Sequence, residues 1–285
     1  MRQLHRLGRV VGITLLSAGP VFAQSEPPPP LLEIVREEVR PGKAGAHAVV
    51  EAGWGAAYSR LQAPITWLGM RSLAGPSEAW FLTPWASYAA WEKADQAMEA
   101  NAALSTEQEK FSSQDGDLLS RTSNIMATFR PGLSYQPQVN LAKMRYMAVD
   151  IVRTKPGRGR EFTEAWQMQV AAHNTAKMDE HWAVYGVVAG MADGVFLFFY
   201  PATSLAALDA SGPMHTGDPF RNAVGENGRS TMREMMLNAV EGSQRMLFKL
   251  SPQMSTLPKG WSEADPFWTP KAPTAAPVKK PGDKR

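Results

Sequence analysis

The side chains that could do chemistry in this chain are few. Five histidines and no cysteine occur in 285 residues, so thiolate metal sites, disulfides and cysteine nucleophiles are excluded. His173 and His181 are the best candidates for polar work, with His215 third. An imidazole can move a proton near neutrality, ligate a metal ion or hold a haem iron alone. The spacing does not favour the metal: no two histidines stand four apart on one helix, and no carboxylates cluster around them in sequence. No metal site and no bound cofactor is therefore expected. The pair Glu180-His181 reads as a strand edge rather than an acid–base dyad. SSQDGD at 112–117 lacks the acidic spacing and distal glutamate of a calcium loop. There is no G-x-S-x-G elbow, no glycine-rich phosphate loop and no dinucleotide fingerprint.

What positions these histidines is a repeat. TWLGMRSLAG at 66–75 returns 115 positions later as HWAVYGVVAG at 181–190, with Trp67 matching Trp182 and Gly75 matching Gly190. At the same offset, LLEIVREEV before Arg40-Pro41-Gly42-Lys43 matches AVDIVRT before Lys155-Pro156-Gly157-Arg158. Each Pro-Gly reads as a turn opening a helix. The first such helix directs His47, Val50, Trp54, Tyr58 and Leu61 inward, at spacings of three and four. Its twin directs Phe162, Ala165, Gln169, His173 and Ala176. The second stripe is smaller and more polar, which suggests room for a ligand between sheet and helices in the second copy. The candidate ligand-binding residues are therefore His173, Gln169, Trp182 and His181, with Tyr58 and Trp67 as their first-copy counterparts. If Trp67 and Trp182 line cavities, the ligand is apolar or aromatic.

Each copy reads β-α-β-β-α-β, the order of the ferredoxin-like split motif. One such unit covers a single face of its sheet, yet VFLFFY and WAVYGVVAG are nearly continuous apolar runs that require cover on both faces. The second copy most simply supplies it, sheet against sheet. The predicted fold is α+β, with a first repeat at 31–137 and a second at 138–251. In this respect the region resembles the dimeric α+β barrel superfamily, with its two units fused in tandem. The phrase GPSEAWFLTPWASYAAWEK resembles the NIPSNAP and antibiotic-biosynthesis-monooxygenase-like families. That resemblance implies a fold whose members include enzymes, haem proteins and non-catalytic binders, so function must be argued from the site.

The ends carry other signals. Residues 1–23 combine Arg2, Arg6 and Arg9 with a short apolar run and small residues before Gln24, the pattern of a secretory signal peptide. A periplasmic or secreted protein is expected, without a transmembrane segment. Those three arginines account for the whole formal charge of +3, and a neutral remainder argues against nucleic acid as a partner. Residues 24–30 are proline-rich, and 252–285 read as a Pro/Lys-rich, largely disordered tail. The functional expectation is non-catalytic binding of a small hydrophobic or aromatic ligand, or of a protein partner. A cofactor-independent monooxygenase-like or isomerase-like enzyme acting on a small aromatic substrate is the alternative, and a haem-binding protein the third reading. The sequence leaves open whether the fused barrel pairs again with a second copy.

Overall fold

The computed structural model describes residues 27–210 and 218–269; residues 1–23, His215 and the last basic cluster lie outside them. The first repeat runs β1 (Leu31–Val39), α1 (Ala44–Arg60), β2 (Leu68–Ala74), β3 (Glu78–Trp85), α2 (Tyr88–Glu99), α3 (Ala102–Gly116) and β4 (Leu119–Phe129). The second runs β5 (Tyr146–Thr154), α4 (Gly159–Ala176), β6 (Ala183–Ala189), β7 (Val195–Ala202), α5 (Leu205–Ala210), α6 (Asp218–Ala239) and β8 (Val240–Leu250). The two Pro-Gly turns deliver each first strand into its helix, and Gly42 and Gly157 share a φ of 76°. That left-handed backbone is open to glycine and strained for other residues.

Within each repeat the strand order is that of a ferredoxin-like sheet, β4-β1-β3-β2 and β6-β7-β5-β8. Antiparallel seams β2–β8 and β4–β6 join the two into a closed barrel. Closure leaves no free sheet edge and explains the continuous apolar strands. Alternate residues point into the barrel, where Met70, Trp80, Val149, Leu197, Met246 and Phe248 are all fully buried in one cluster. The others point outward under the helices, giving separate outer cores for the first repeat and the second. Among the described residues no helix is long and apolar enough to cross a membrane.

The segments leaving the two repeats exchange. The turn at Pro131–Leu133 after β4 packs on α4 of the second repeat, and the turn at Pro252–Met254 after β8 packs on α1 of the first. The Trp182 indole N–H donates to the Leu133 carbonyl and the Trp67 indole N–H to the Met254 carbonyl, both at 2.8 Å. These reciprocal bonds explain why the aromatic strand is written twice: each buried indole needs an acceptor, and the partner repeat's exit turn provides it.

The C-terminal segment departs from the tail expected of it. Residues 252–269 form short helical turns against the barrel, and Trp268 is only 4% exposed. Its ring meets Trp261 and Phe267 edge-on at 5.0 and 4.9 Å, and its indole N–H donates to the Ala142 carbonyl at 2.7 Å. Three large rings within eight residues carry enough apolar surface to offset the ordering of a proline-punctuated chain.

Candidate functional site

An eight-stranded barrel is just wide enough to be filled by its own side chains. Here the two ends differ. At the narrower end, where a cleft of about 190 Å³ lies beside Arg36, the Arg36 guanidinium donates two 2.6 Å bonds to Glu78, whose carboxylate also accepts from the Trp80 indole at 2.7 Å. At the open end lies a cavity of about 420 Å³. Leu32, Leu68, Leu82, Met147, Tyr185 and Phe199 wall it from the strands. Pro27–Pro29, the stretch from Pro137 to Ala142, and the stretch from Leu257 to Trp261 wall it from three connecting segments. The Tyr185 hydroxyl donates to the Pro29 carbonyl at 3.1 Å, pinning the N-terminal stretch to the rim. Burial pushes the Tyr185 phenol above its ordinary range, so it stays a neutral donor.

Of the residues singled out in sequence, Trp67, Trp182 and His181 line this cavity. His181 and Tyr185 are the titratable groups among its described lining, and no lysine or arginine stands there. His181 is oriented by a 2.9 Å contact from Nδ1 to the Gln136 carbonyl. A carbonyl only accepts, so Nδ1 carries the proton and, in the neutral ring, Nε2 presents a lone pair. The exposed Asp179 carboxylate lies 3.6 Å from Nε2. An apolar chamber with one basic nitrogen at its rim can bind a flat apolar molecule and take a proton from it.

His173, Gln169 and Tyr58 are placed elsewhere. Tyr58 packs on Trp67 at 5.1 Å and accepts from Gln108 in the first outer core. His173 packs edge-on to Trp182 at 4.8 Å, the matching contact of the second copy. The room expected around His173 is taken by Tyr135 and Phe220, at 5.3 and 5.0 Å, so the smaller side chain has been packed around rather than left beside a void. Both ring nitrogens are engaged, Nδ1 with the Gln169 carbonyl at 2.8 Å and Nε2 with Glu180 at 3.3 Å. An axial haem ligand needs one nitrogen free and a plane to face, and His173 has neither. His181 Nε2 already faces the Asp179 carboxylate at 3.6 Å, and the described lining of its cavity offers no cation to pair with a propionate. The residues present do not fit a haem.

A second polar assembly was not legible as such in the sequence. Glu37 lies on the outer face of β1 near its end, His47 and Glu51 stand one turn apart on α1, and Asp115 lies in the last turn of α3; all four are buried. His47 Nε2 lies 2.8 Å from Glu37 and 3.6 Å from Glu51. Burial first, then the neighbouring Glu37 and Asp115, push the Glu51 carboxyl up to about 10. Burial also raises Asp115, which accepts from the Trp54 indole at 2.9 Å. Carboxylates that no sequence spacing brings together around a histidine thus gather around His47 in three dimensions. The i, i+4 pair His47 and Glu51 was the available signal, and Glu37 joins it only through the strand-to-helix reversal.

No protein-family model and no curated protein sequence matches this chain. Among solved structures it is similar to a candidate monooxygenase from Fusobacterium nucleatum, at 10% identity over 79% of this chain and 94% of that one, with a TM-score of 0.52. A candidate monooxygenase from Lactobacillus acidophilus covers 79% of this chain and 97% of its own at 9% identity and a TM-score of 0.49. A mutant chlorite dismutase from Candidatus Nitrospira defluvii covers 80% and 94% at 10% identity and 0.47. At 10% identity the likeness to the Fusobacterium nucleatum protein is one of fold alone.

Proposed function

We propose that this protein takes a small apolar, aromatic molecule into the cavity at the open end of its barrel and acts on it there without a bound cofactor, as an isomerase-like or oxygenase-like enzyme. The observation that carries the reading is the position of His181, one basic nitrogen with a fixed tautomer at the rim of an otherwise apolar chamber. In this scheme His181 Nε2 removes a proton from an acidic C–H or O–H of the bound substrate, and the apolar walls keep the anion from water. The anion is then reprotonated at another position, or is oxidised by dioxygen at a carbon from which two substrate hydrogens are lost in all, so that one oxygen atom becomes a product carbonyl and the other leaves as water with those two hydrogens. Kinship with the antibiotic-biosynthesis-monooxygenase-like or NIPSNAP families, and an envelope location, belong to the same proposal. The Fusobacterium nucleatum fold match is consistent with it.

A specific observation favours a second reading, binding without turnover: the one phenol in the cavity is already committed to Pro29. His181→Phe separates the two. Under the enzymatic reading it leaves binding of an aromatic probe such as 1-naphthol intact and removes oxygen uptake or isomerisation across a panel of polycyclic phenols. Equal turnover by wild type and variant, measured with an oxygen electrode and chromatography, refutes the role of His181.

A further inference from the structure

The cluster beneath α1 is unrelated to the cavity. Leu32 faces the barrel interior and lines the cavity, whereas Glu37 lies on the outer face of the same strand, five residues on, roughly 17 Å by the rise of a strand. Its charge is unbalanced. Glu37, Glu51 and Asp115 are three buried carboxyls, and their recorded side-chain partners are His47, the neutral Trp54 indole and, between Glu51 and Asp115, each other. Buried charge of one sign is costly unless a counter-charge or protons neutralise it. In addition, Asp115 Oδ1 meets no N–H donor although the residue is only 6% exposed, and the side chain that faces Asp115 is another carboxyl, that of Glu51. Its charge acts on Glu51, and those of Glu37 and His47 act on it. The orphaned oxygen belongs to the same cluster.

The internal repeat supplies a control within the molecule. Aligning β1 and α1 with β5 and α4, and the α3–β4 junction with that of α6 and β8, the four positions become Val152, Phe162, Trp166 and Met236. In the second repeat those side chains pack together as part of an ordinary apolar outer core. The fold therefore does not require polar groups at this place. Retaining four of them in one copy, at the cost of desolvating each, calls for something that the hydrocarbon version does not hold.

We propose that Glu37, His47, Glu51 and Asp115 form a binding site for one divalent transition-metal ion, buried between the first repeat's sheet and helices α1 and α3. One ligand atom each from Glu37, His47 and Glu51 already lies within 4.8 Å of the others, a spread that a single ion spans with bonds of about 2.0–2.2 Å and modest side-chain rotation. Asp115 adds a fourth oxygen from the opposite helix. An imidazole among carboxylates selects zinc, iron or manganese over calcium and magnesium, which take all-oxygen shells. The ion supplies the missing positive charge. It ties β1, α1 and α3 together where the second repeat relies on aromatic packing.

The test uses the chain beginning at Gln24. It is stripped with a chelator, then refolded in Zn²⁺ or Co²⁺ and also exposed to each ion when already folded, since a buried site can load slowly. After gel filtration, metal content is measured by mass spectrometry, and Co²⁺ reports its nitrogen and oxygen ligands through visible absorption. One ion per chain is expected, together with a Co²⁺ spectrum of low coordination number. Glu51→Gln should weaken Zn²⁺ by at least about tenfold, the lower end of what even outer-shell changes cost. A quadruple variant carrying the second repeat's residues, Glu37→Val, His47→Phe, Glu51→Trp and Asp115→Met, should fold and retain no ion. Wild type that keeps less than a tenth of an equivalent after refolding in either ion overturns the site, as does an equal content in wild type and the folded quadruple variant. If the quadruple variant does not fold, the wild-type stoichiometry and the Glu51→Gln affinity decide alone.

Discussion

Trp268→Ala measures how far the C-terminal segment is part of the body. The indole is almost wholly buried in the barrel-interior cluster and donates to the Ala142 carbonyl. Removing a buried tryptophan costs about 3–5 kcal/mol through lost transfer energy and the space left behind. The ring sits near the cavity mouth, where Trp261 and Phe267 can settle toward the gap, so the lower end applies, about 3 kcal/mol. For a domain of this size each kcal/mol moves the midpoint by about 2–4 °C, giving a fall of about 6–12 °C. Thermal melts followed by circular dichroism, paired with urea denaturation, measure it. Truncation after Met254 should cost at least as much, while truncation after Thr269, which keeps every contact named, is the control. A loss under about 1 kcal/mol for Trp268→Ala would refute the docking of this segment as a source of stability.

His173→Tyr, which writes the first repeat's residue into the second, should destabilise by about 1–3 kcal/mol through overpacking against Phe220 and loss of the Glu180 contact; cavity binding of 1-naphthol should be unchanged, as a fluorescence titration would show. Gly190 has a φ of 86°, and a Cβ there would lie 2.0 Å from the Asn124 carbonyl across the β4–β6 seam. Gly190→Ala should therefore cost about 3 kcal/mol or more, and a urea midpoint within error of wild type would contradict that geometry. The backbone N–H of Phe267, then Arg145, hold Asp265 below its ordinary value. A carboxylate with a depressed folded-state value contributes stability that is fully present above its unfolded value of about 3.9 and is lost as pH falls through the folded one. Hydrogen exchange at Phe267 and Trp268, normalised for intrinsic rates, should rise as pH drops below about 4, and Asp265→Asn should flatten that dependence.

The repeat made the fold legible. Two Pro-Gly turns, two aromatic strands and two apolar partners at one offset demand a pair of sheets that cover each other, and the closed barrel is that arrangement. The site was legible only in fragments. Trp67, Trp182 and His181 do share a cavity, but part of its wall comes from Pro27–Pro29 and from stretches at 137–142 and 257–261, which read as proline-rich start, inter-repeat segment and tail. Such segments carry no periodicity, and their docking depends on tertiary contacts such as Trp268 to Ala142. His173 was singled out by comparing repeats for size, yet packing by Phe220 from α6 filled the difference. The same comparison applied to charge marks Glu37, His47 and Glu51 against Val152, Phe162 and Trp166, a contrast that volume alone does not reveal.

The central claim is that the barrel-end cavity is where this protein binds its ligand. Ala183 lines it from β6 and is only partly buried, so Ala183→Phe places a ring in the chamber with little demand on the core. Quenching of cavity tryptophans by 1-naphthol, titrated against wild type and Ala183→Phe, tests the claim directly. The expected result is saturable one-to-one binding to wild type that falls at least about tenfold in the folded variant, the loss of about 1.4 kcal/mol. Absence of binding to wild type, or equal affinity in the two proteins, would contradict it.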